Sequence, residues 1–332
     1  MSVARTEVGD SLARTEDRPI GGQAVIEGVM IRSPERIATA VRRPDGRIAV
    51  QDEEYVSLTR RRKRPFALPV LRGIVSFAEM LVIGVRTLSL SACMAAAEPD
   101  APESGKDRFL AGASMVLAFL VGLAILLFLP LATASALGLE ARAFAYNTLA
   151  GAMRAATLLA YLWAIGRAAD VARVFAYHGA EHQTVFAYEA NEELTVETVR
   201  RYSRFHPRCG TSFILIVVLL AVLVYALLDA AFIAIVGRPK SLAERFGVHL
   251  AFLPLVAGVS FEALKASAAH RRSRFVRALV APGLWLQGLT TRPPDEAQLA
   301  VAVEAARASL GLPPHDGASV DLIASPAGSR RD

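Results

Sequence analysis

Four long apolar runs punctuate the chain. From Phe109 to Leu139 no residue is charged over 31 positions, ample for a bilayer crossing, which takes ~20 apolar residues in a helix. Ala143 to Gly166 carries Arg154 as its only charge, Phe213 to Gly237 only Asp229, and Phe246 to Leu264 only Glu262. These runs predict four transmembrane helices, at 109–133, 143–166, 213–236 and 246–264, with Pro130 at the exit of the first and Pro254 kinking the fourth. The stretch 66–98 is apolar in a different way. Arg72, Glu79 and Arg86 recur every seven residues, nearly two helical turns, and so share one face with Ser76. That pattern predicts an amphipathic helix lying on the membrane or packed against the bundle.

The polar segments between these runs divide the rest. Residues 1–18 have no apolar pattern and read as a disordered N-terminus, with no cleavable signal peptide. Within 19–65, Ile37 to Arg43 and Arg47 to Val50 flank Pro44-Asp45-Gly46, a strand, a turn and a strand. The segment 167–212 is too long for a bare connection and contains a short predicted helix at 195–202 with Thr195 as its N-cap. Residues 267–312 hold an interfacial segment, Pro282 to Leu286 with Trp285 as anchor, and an amphipathic helix from Asp295 to Leu310. A Pro/Gly/Ser-rich tail, 313–332, reads as disordered. The expected fold class is thus a mainly α, polytopic membrane protein with four transmembrane helices, additional amphipathic helices and a small N-terminal β-hairpin element.

Charge fixes the expected orientation. Of 37 Lys and Arg residues, 17 precede residue 109, 6 lie in 167–212 and 9 follow Leu264, while the other two connections carry only Arg142, and Arg238, Lys240 and Arg245. Rich and poor segments alternate, which predicts cytoplasmic termini and a cytoplasmic 167–212 loop in a multi-pass protein of the cell (inner) membrane. The composition agrees: 53% hydrophobic and 20% charged residues with a mean hydropathy of +0.37 argue against an ordinary soluble enzyme or a disulfide scaffold. The basic run Arg60-Arg61-Arg62-Lys63-Arg64 fits anionic lipid headgroups. It has no aromatic interleaving or motif of the kind nucleic-acid binding uses, so no nucleic-acid partner is expected.

The candidate chemistry lies in the 167–212 segment. His178-Gly179-Ala180-Glu181-His182 places two imidazoles at i and i+4, one face of a helix, where they can hold one metal ion. H-x-x-E-H is the inverted zinc-peptidase pattern, in which the Glu serves as general base. Further on, His206 and Cys209 have ligand-like spacing, and a cytoplasmic Cys209 stays reduced. The candidate ligands of a divalent metal, zinc in first place, are therefore His178, His182, His206 and Cys209. Four ligands would make a closed structural site; three would leave a position for a water that Glu181 could deprotonate. Soluble inverted zincins take a third ligand, a Glu, from a distant helix, which has no recognisable counterpart here. Gln23 and Glu27, in the glycine-rich segment Gly21 to Met30, and Arg208 are candidates to line the site; equally, Glu27 could sit in a plain turn paired to Arg32 or Arg72. Arg154 and Asp229 predict a structural ion pair or a polar pathway within the bundle, whereas His249 reads as plain.

Four motifs, Gly21 to Met30, Tyr177 to His182, His206 to Ser212 and Pro282 to Gln287, together resemble the YqhQ-like bacterial membrane family. The resemblance implies a bacterial inner-membrane protein, a predicted metal-dependent enzyme of unassigned substrate, with metal at His178, His182, His206 and Cys209. Two functions stay open. One is a metal-dependent hydrolase acting on a lipid-linked substrate or membrane peptide. The other is a non-enzymatic membrane scaffold or assembly factor whose metal clamps the loop. A transporter using Arg154 and Asp229 is a weaker third, as no paired repeat is visible.

Overall fold

The structure is a computed structural model that describes residues 18–61, 68–96, 124–207, 209–239, 241–269 and 274–323, with scattered positions between 110 and 122. Residues 1–17 of the predicted disordered segment 1–18, most of the basic run at 60–64, Arg208 and residues 324–332 lie outside them.

Three of the predicted spans are long apolar helices: α4 (Ala143–Ile165), α7 (Gly210–Ile235) and α8 (Leu242–Ala269). After the one-turn helix α1 (Leu58–Arg61), the helix of 66–98, α2 (Leu71–Ala95), is the fourth that is long and apolar enough to cross a membrane. The first predicted span lies partly outside the described residues. Its described end does not stop at 133: a π-helical turn, Ala124–Phe128, leads into α3 (Leu129–Ala136). Pro130 is buried near the start of α3, and the helix continues past it to Ala136. A proline lacks an N–H and crowds the carbonyl four residues earlier, and the carbonyl of Leu126 is indeed taken by Arg154, whose Nε donates to it at 3.3 Å.

The soluble part is larger and more ordered than a hairpin. Strands β1 (Gly21–Val25), β2 (Gly28–Arg32), β3 (Arg36–Arg42) and β4 (Ile48–Glu54) form an antiparallel meander, and β5 (Val320–Leu322) adds to β4 in parallel. The predicted turn is in place, with Gly46 at φ 84°. The glycine-rich segment proves to be a second hairpin with a two-residue turn, Ile26-Glu27, in which Glu27 has φ 51°. The tail expected to be disordered supplies β5. Three paired residues at an edge are a short hold, and Asp321 adds ion pairs to Arg43 and Arg47.

Both faces of the sheet are covered. Val29, Ile31, Ala40 and Val50 pack on α5 (Ala169–Glu189) and α10 (Glu296–Ser309), through Tyr177, Ala180, Val185, Leu299 and Ala302. The alternate positions, Met30, Ile37 and Val41, face α2 through Ile83, Leu90 and Met94. The domain is three layers, α2 over sheet over α5 and α10. Gly28 is required where strands crowd: a Cβ there would stand 2.1 Å from the Ala40 carbonyl oxygen. Helix α10 begins with Asp295 and Gln298 in a reciprocal capping box. Of the predicted 195–202 helix only one turn forms, α6 (Val196–Val199), capped by Thr195 as expected. Helix α9 (Arg274–Thr290) returns against α7 and carries the exposed Trp285.

Candidate metal centre

Helix α5 divides its residues by face. Tyr177, Ala180, Val185 and Tyr188 turn to the sheet and α10, while His178 and His182, one turn apart, turn to the segment 204–209 and the end of α9. The Nδ1 of His178 donates to the Thr290 carbonyl at 2.8 Å. The Nδ1 of His182 donates to the Arg204 carbonyl. A carbonyl only accepts, so it holds the proton on Nδ1 and turns Nε2 to the site, the tautomer in which a neutral imidazole ligates a metal. The Nε2 of His178 stands 3.2 Å from Cys209 Sγ. The Nε2 of His182 is buried without a hydrogen-bond partner, a costly arrangement that an ion would relieve.

These three donors, His178, His182 and Cys209, lie within 4.8 Å of one another. Ligands bound at ~2.0–2.3 Å around one tetrahedral ion stand ~3.3–3.8 Å apart, so one edge of the triangle is already at ligand separation and the set closes with about an ångström of movement. The residues fit a soft or borderline divalent ion. Among the described residues this is the group of three or more metal-ligating side chains whose donor atoms converge.

His206 does not join that group. Its ring lies 5.8 Å from that of His182 and 4.4 Å from that of Phe186, and its Nε2 faces Glu189 Oε1 at 3.4 Å. Gln287 of α9 holds its backbone from both sides: the His206 N–H donates to Gln287 Oε1 and Gln287 Nε2 donates to the His206 carbonyl, each at 2.8 Å. Glu181 is buried, and its Oε1 accepts the Gly22 N–H at 3.0 Å, fastening β1 to α5. Gln23 reaches the opposite layer, where its Nε2 donates to Thr87 Oγ1 of α2 at 2.8 Å. Glu27 is ion-paired to Arg173, 2.7 Å, and near Arg42, 3.8 Å, rather than to Arg32 or Arg72. It also accepts from Tyr177, whose hydroxyl is held well above the usual tyrosine range by burial.

The sequence reading missed Gln287, the carbonyls of Arg204 and Thr290, and the role of Gly179. Gln287 had a signal, an uncharged polar residue closing an apolar motif. The carbonyls had none. Gly179 lies where α5 meets the chain after α9: an added Cβ would stand 2.2 Å from the Arg292 carbonyl oxygen. Gly179→Ala should therefore push α5 off that segment and pull His178 from Thr290. The expected cost is about 1–3 kcal/mol of stability, with metal affinity lowered roughly 10–100-fold. Thermal unfolding and chelator competition measure the two; an unchanged affinity would show that Thr290 does not orient His178.

The family model described as "Protein of unknown function (DUF1385)" matches residues 68–312, a stretch holding His178, His182, His206 and Cys209. The chain belongs to the DUF1385 family. It is also 33% identical over 304 residues to the uncharacterized protein YqhQ of Bacillus subtilis (strain 168), covering 86% of this chain and 90% of that one. No solved structure matches. For this DUF1385 member the YqhQ-like resemblance thus holds over most of the chain.

A second polar cluster sits among the apolar helices. Asp229 of α7 accepts from Asn147 of α4 at 2.8 Å, and stands 3.2 Å from His249 Nε2 and 3.8 Å from Arg245 Nε, both on α8. Asp229, His249 and Arg245 are at most 2% exposed. The expected Arg154–Asp229 ion pair is not formed. Arg154 instead holds the Leu126 carbonyl and lies 5.5 Å from the centre of the Tyr225 ring. His249 is far from plain, being stacked 4.2 Å from Tyr225 as well as bound to Asp229. Glu262, at the other end of α8, forms a two-bond pair with Arg72.

Proposed function

We propose that this protein is a multi-pass membrane protein of the bacterial inner membrane with a divalent metal centre, zinc in first place, on its cytoplasmic face, and that the centre hydrolyses a bond in a membrane-associated or lipid-linked substrate. The observation that carries the reading is the pair of Nε2 lone pairs, each oriented by a backbone carbonyl, converging with Cys209. Three protein donors leave a tetrahedral ion one open position, the arrangement of hydrolytic rather than closed structural sites. An ion held there supplies Lewis acidity, acidifying a water and polarising a carbonyl or phosphoryl oxygen. Proximity to lipid follows from the chain: Cys209 immediately precedes α7, whose first residue is Gly210. The basic 167–212 segment supports a cytoplasmic placement.

In this reading the protein's own side chains divide the labour. Thr290 and Arg204 set the two imidazoles through their carbonyls. Glu189 and Gln287 hold His206 beside them. Glu181 acts as proton acceptor through the carboxylate oxygen that Gly22 does not engage. A second reading is favoured by that same Gly22 contact: Glu181 is a structural tie, and the metal clamps α5 to the foot of α7 in a non-enzymatic scaffold.

Glu181→Gln separates them. It keeps a hydrogen-bond acceptor for Gly22 and removes the base. Catalysis predicts full metal content and an unchanged melting temperature, with the strain accumulating the same uncleaved lipid or membrane peptide as a deletion strain. Lipid and peptide profiling of complemented strains that matches wild type would rule out Glu181 as the base and favour the scaffold.

A further inference from the structure

Helix α2 has the length and hydropathy of a membrane crossing, yet the side chains of one face are committed to the soluble sheet domain. Glu79 accepts from the Tyr55 hydroxyl at 2.8 Å, the Ser57 hydroxyl at 2.7 Å and the Leu58 N–H at 2.6 Å. Arg86 makes two bonds to Glu53, 2.9 and 2.8 Å. Thr87 receives Gln23, Ser91 receives the Ile26 N–H at 3.1 Å, and Met94 packs with Val41 and Ala49. These contacts run from 79 to 94, ~22 Å along the helix axis at 1.5 Å per residue.

The sheet they attach to cannot enter hydrocarbon. It carries Arg36, Arg42, Asp52 and Glu53, and the Arg36–Asp52 pair is more than a third exposed on each side. Charged, solvent-facing strands are excluded from the bilayer core. A crossing α2 would take them there.

The opposite face is apolar and uncovered. Met80, Leu81, Val82, Val85 and Leu88 are 43–69% exposed, with 81, 85 and 88 at the i, i+4, i+7 spacing of one stripe. The helix starts against the membrane bundle: a Cβ on Gly73 would stand 2.7 Å from the Gly258 carbonyl oxygen of α8, and Arg72 pairs with Glu262 of the same helix. The start of α2 is thereby packed on a helix long and apolar enough to cross a membrane.

We propose that α2 lies flat in the membrane interface on the side of the β-sheet, with Leu81, Val82, Val85 and Leu88 at the boundary of headgroups and acyl chains, and that it does not span the bilayer. The occupant of its exposed face is the lipid itself. A helix with one polar and one apolar face, too heavily committed on the polar side to leave the interface, has this as its stable position. The soluble domain then rests on the membrane through α2.

The test uses the full chain in nanodiscs of phosphatidylethanolamine and phosphatidylglycerol. The exposed Cys93 is replaced by Ser, and a nitroxide is placed through Leu81→Cys or Leu88→Cys, both on the exposed stripe. Relative accessibility to oxygen and to a nickel chelate gives the depth of each label. Seven residues rise ~10 Å along a helix. A flat helix predicts that the two depths differ by less than half of that rise. A difference greater than half shows a crossing and overturns the proposal. Labels inaccessible to both reagents show that protein covers the stripe, a second copy or another partner, and overturn it equally. The same depths are expected in His182→Ala, so the result stands apart from the fate of the metal centre.

Discussion

Purified without chelators, the full chain should carry about one equivalent of zinc, and His182→Ala should carry less than about a tenth of that, since a two-donor remnant does not retain the ion through purification. Cys209→Ser should fall nearly as far, because a hydroxyl is a poor replacement for a thiolate. His206→Ala is the informative contrast. Its Nε2 faces Glu189, outside the convergent group, so it should keep most of the metal while weakening its hold, as removal of a supporting group does by about 10–100-fold. Elemental analysis of the four proteins settles the ligand set. If wild type, His182→Ala and Cys209→Ser hold the same trace amount, there is no metal centre at this place. If His206→Ala empties the protein as fully as His182→Ala, the set has four members.

Asp229→Ala should lower the melting temperature in detergent by about 10 °C. The carboxylate is the acceptor for Asn147 and His249 and stands beside Arg245, and all of these are buried among apolar helices. Removing it strands a guanidinium and two polar side chains without an anion. Breaking a buried charge pair from one side costs about 3–5 kcal/mol, and in chains of this size each kcal/mol is worth about 2–4 °C. Asp229→Asn keeps an acceptor for one of Asn147 and His249 and should cost less. Arg245→Met strands the carboxylate without its cation and should also lower the melting temperature. A melting temperature within 2 °C or so of wild type for Asp229→Ala would mean that the cluster does not hold α4, α7 and α8 together.

The membrane helices were legible because length and apolarity decide them, and no tertiary detail is needed to see that Ala143–Ile165 is apolar throughout. The sheet was legible only where it has a turn. Pro44-Asp45-Gly46 announced one hairpin, but the β1–β2 turn is Ile26-Glu27, in which a non-glycine residue adopts positive φ. Strands buried on both faces lose the alternation that marks a strand; β2, Gly-Val-Met-Ile-Arg, is such a case. Strand β5 is three residues in a tail of loop-like composition and exists because β4 offers it an edge.

The candidate metal centre was legible in its donor residues and not in their supports. The i, i+4 histidines follow from helical periodicity alone, and α5 is the helix they require. That Cys209, and not His206, meets them depends on how the segment after α6 turns back, which Gln287 fixes from 81 residues away. The charged stripe on α2 was visible as a period of seven, but its partners were not. Glu53 and Glu262 are far along the chain, and no local pattern points to them.

The soluble domain is interrupted in the chain, which bears on its synthesis. Its sheet is complete, apart from β5, by Glu54, but the layer that covers one face comes from α5 and α10, whose last residue is Ser309. A ribosome must therefore deliver nearly the whole polypeptide, with α4, α7 and α8 already passed to the membrane, before Val29, Ile31 and Val50 can be enclosed. Contacts of such sequence separation form late and slowly, and an uncovered sheet is exposed to aggregation while it waits. Early recruitment of α2 to the lipid would shield the other face from the moment Ala95 leaves the exit tunnel.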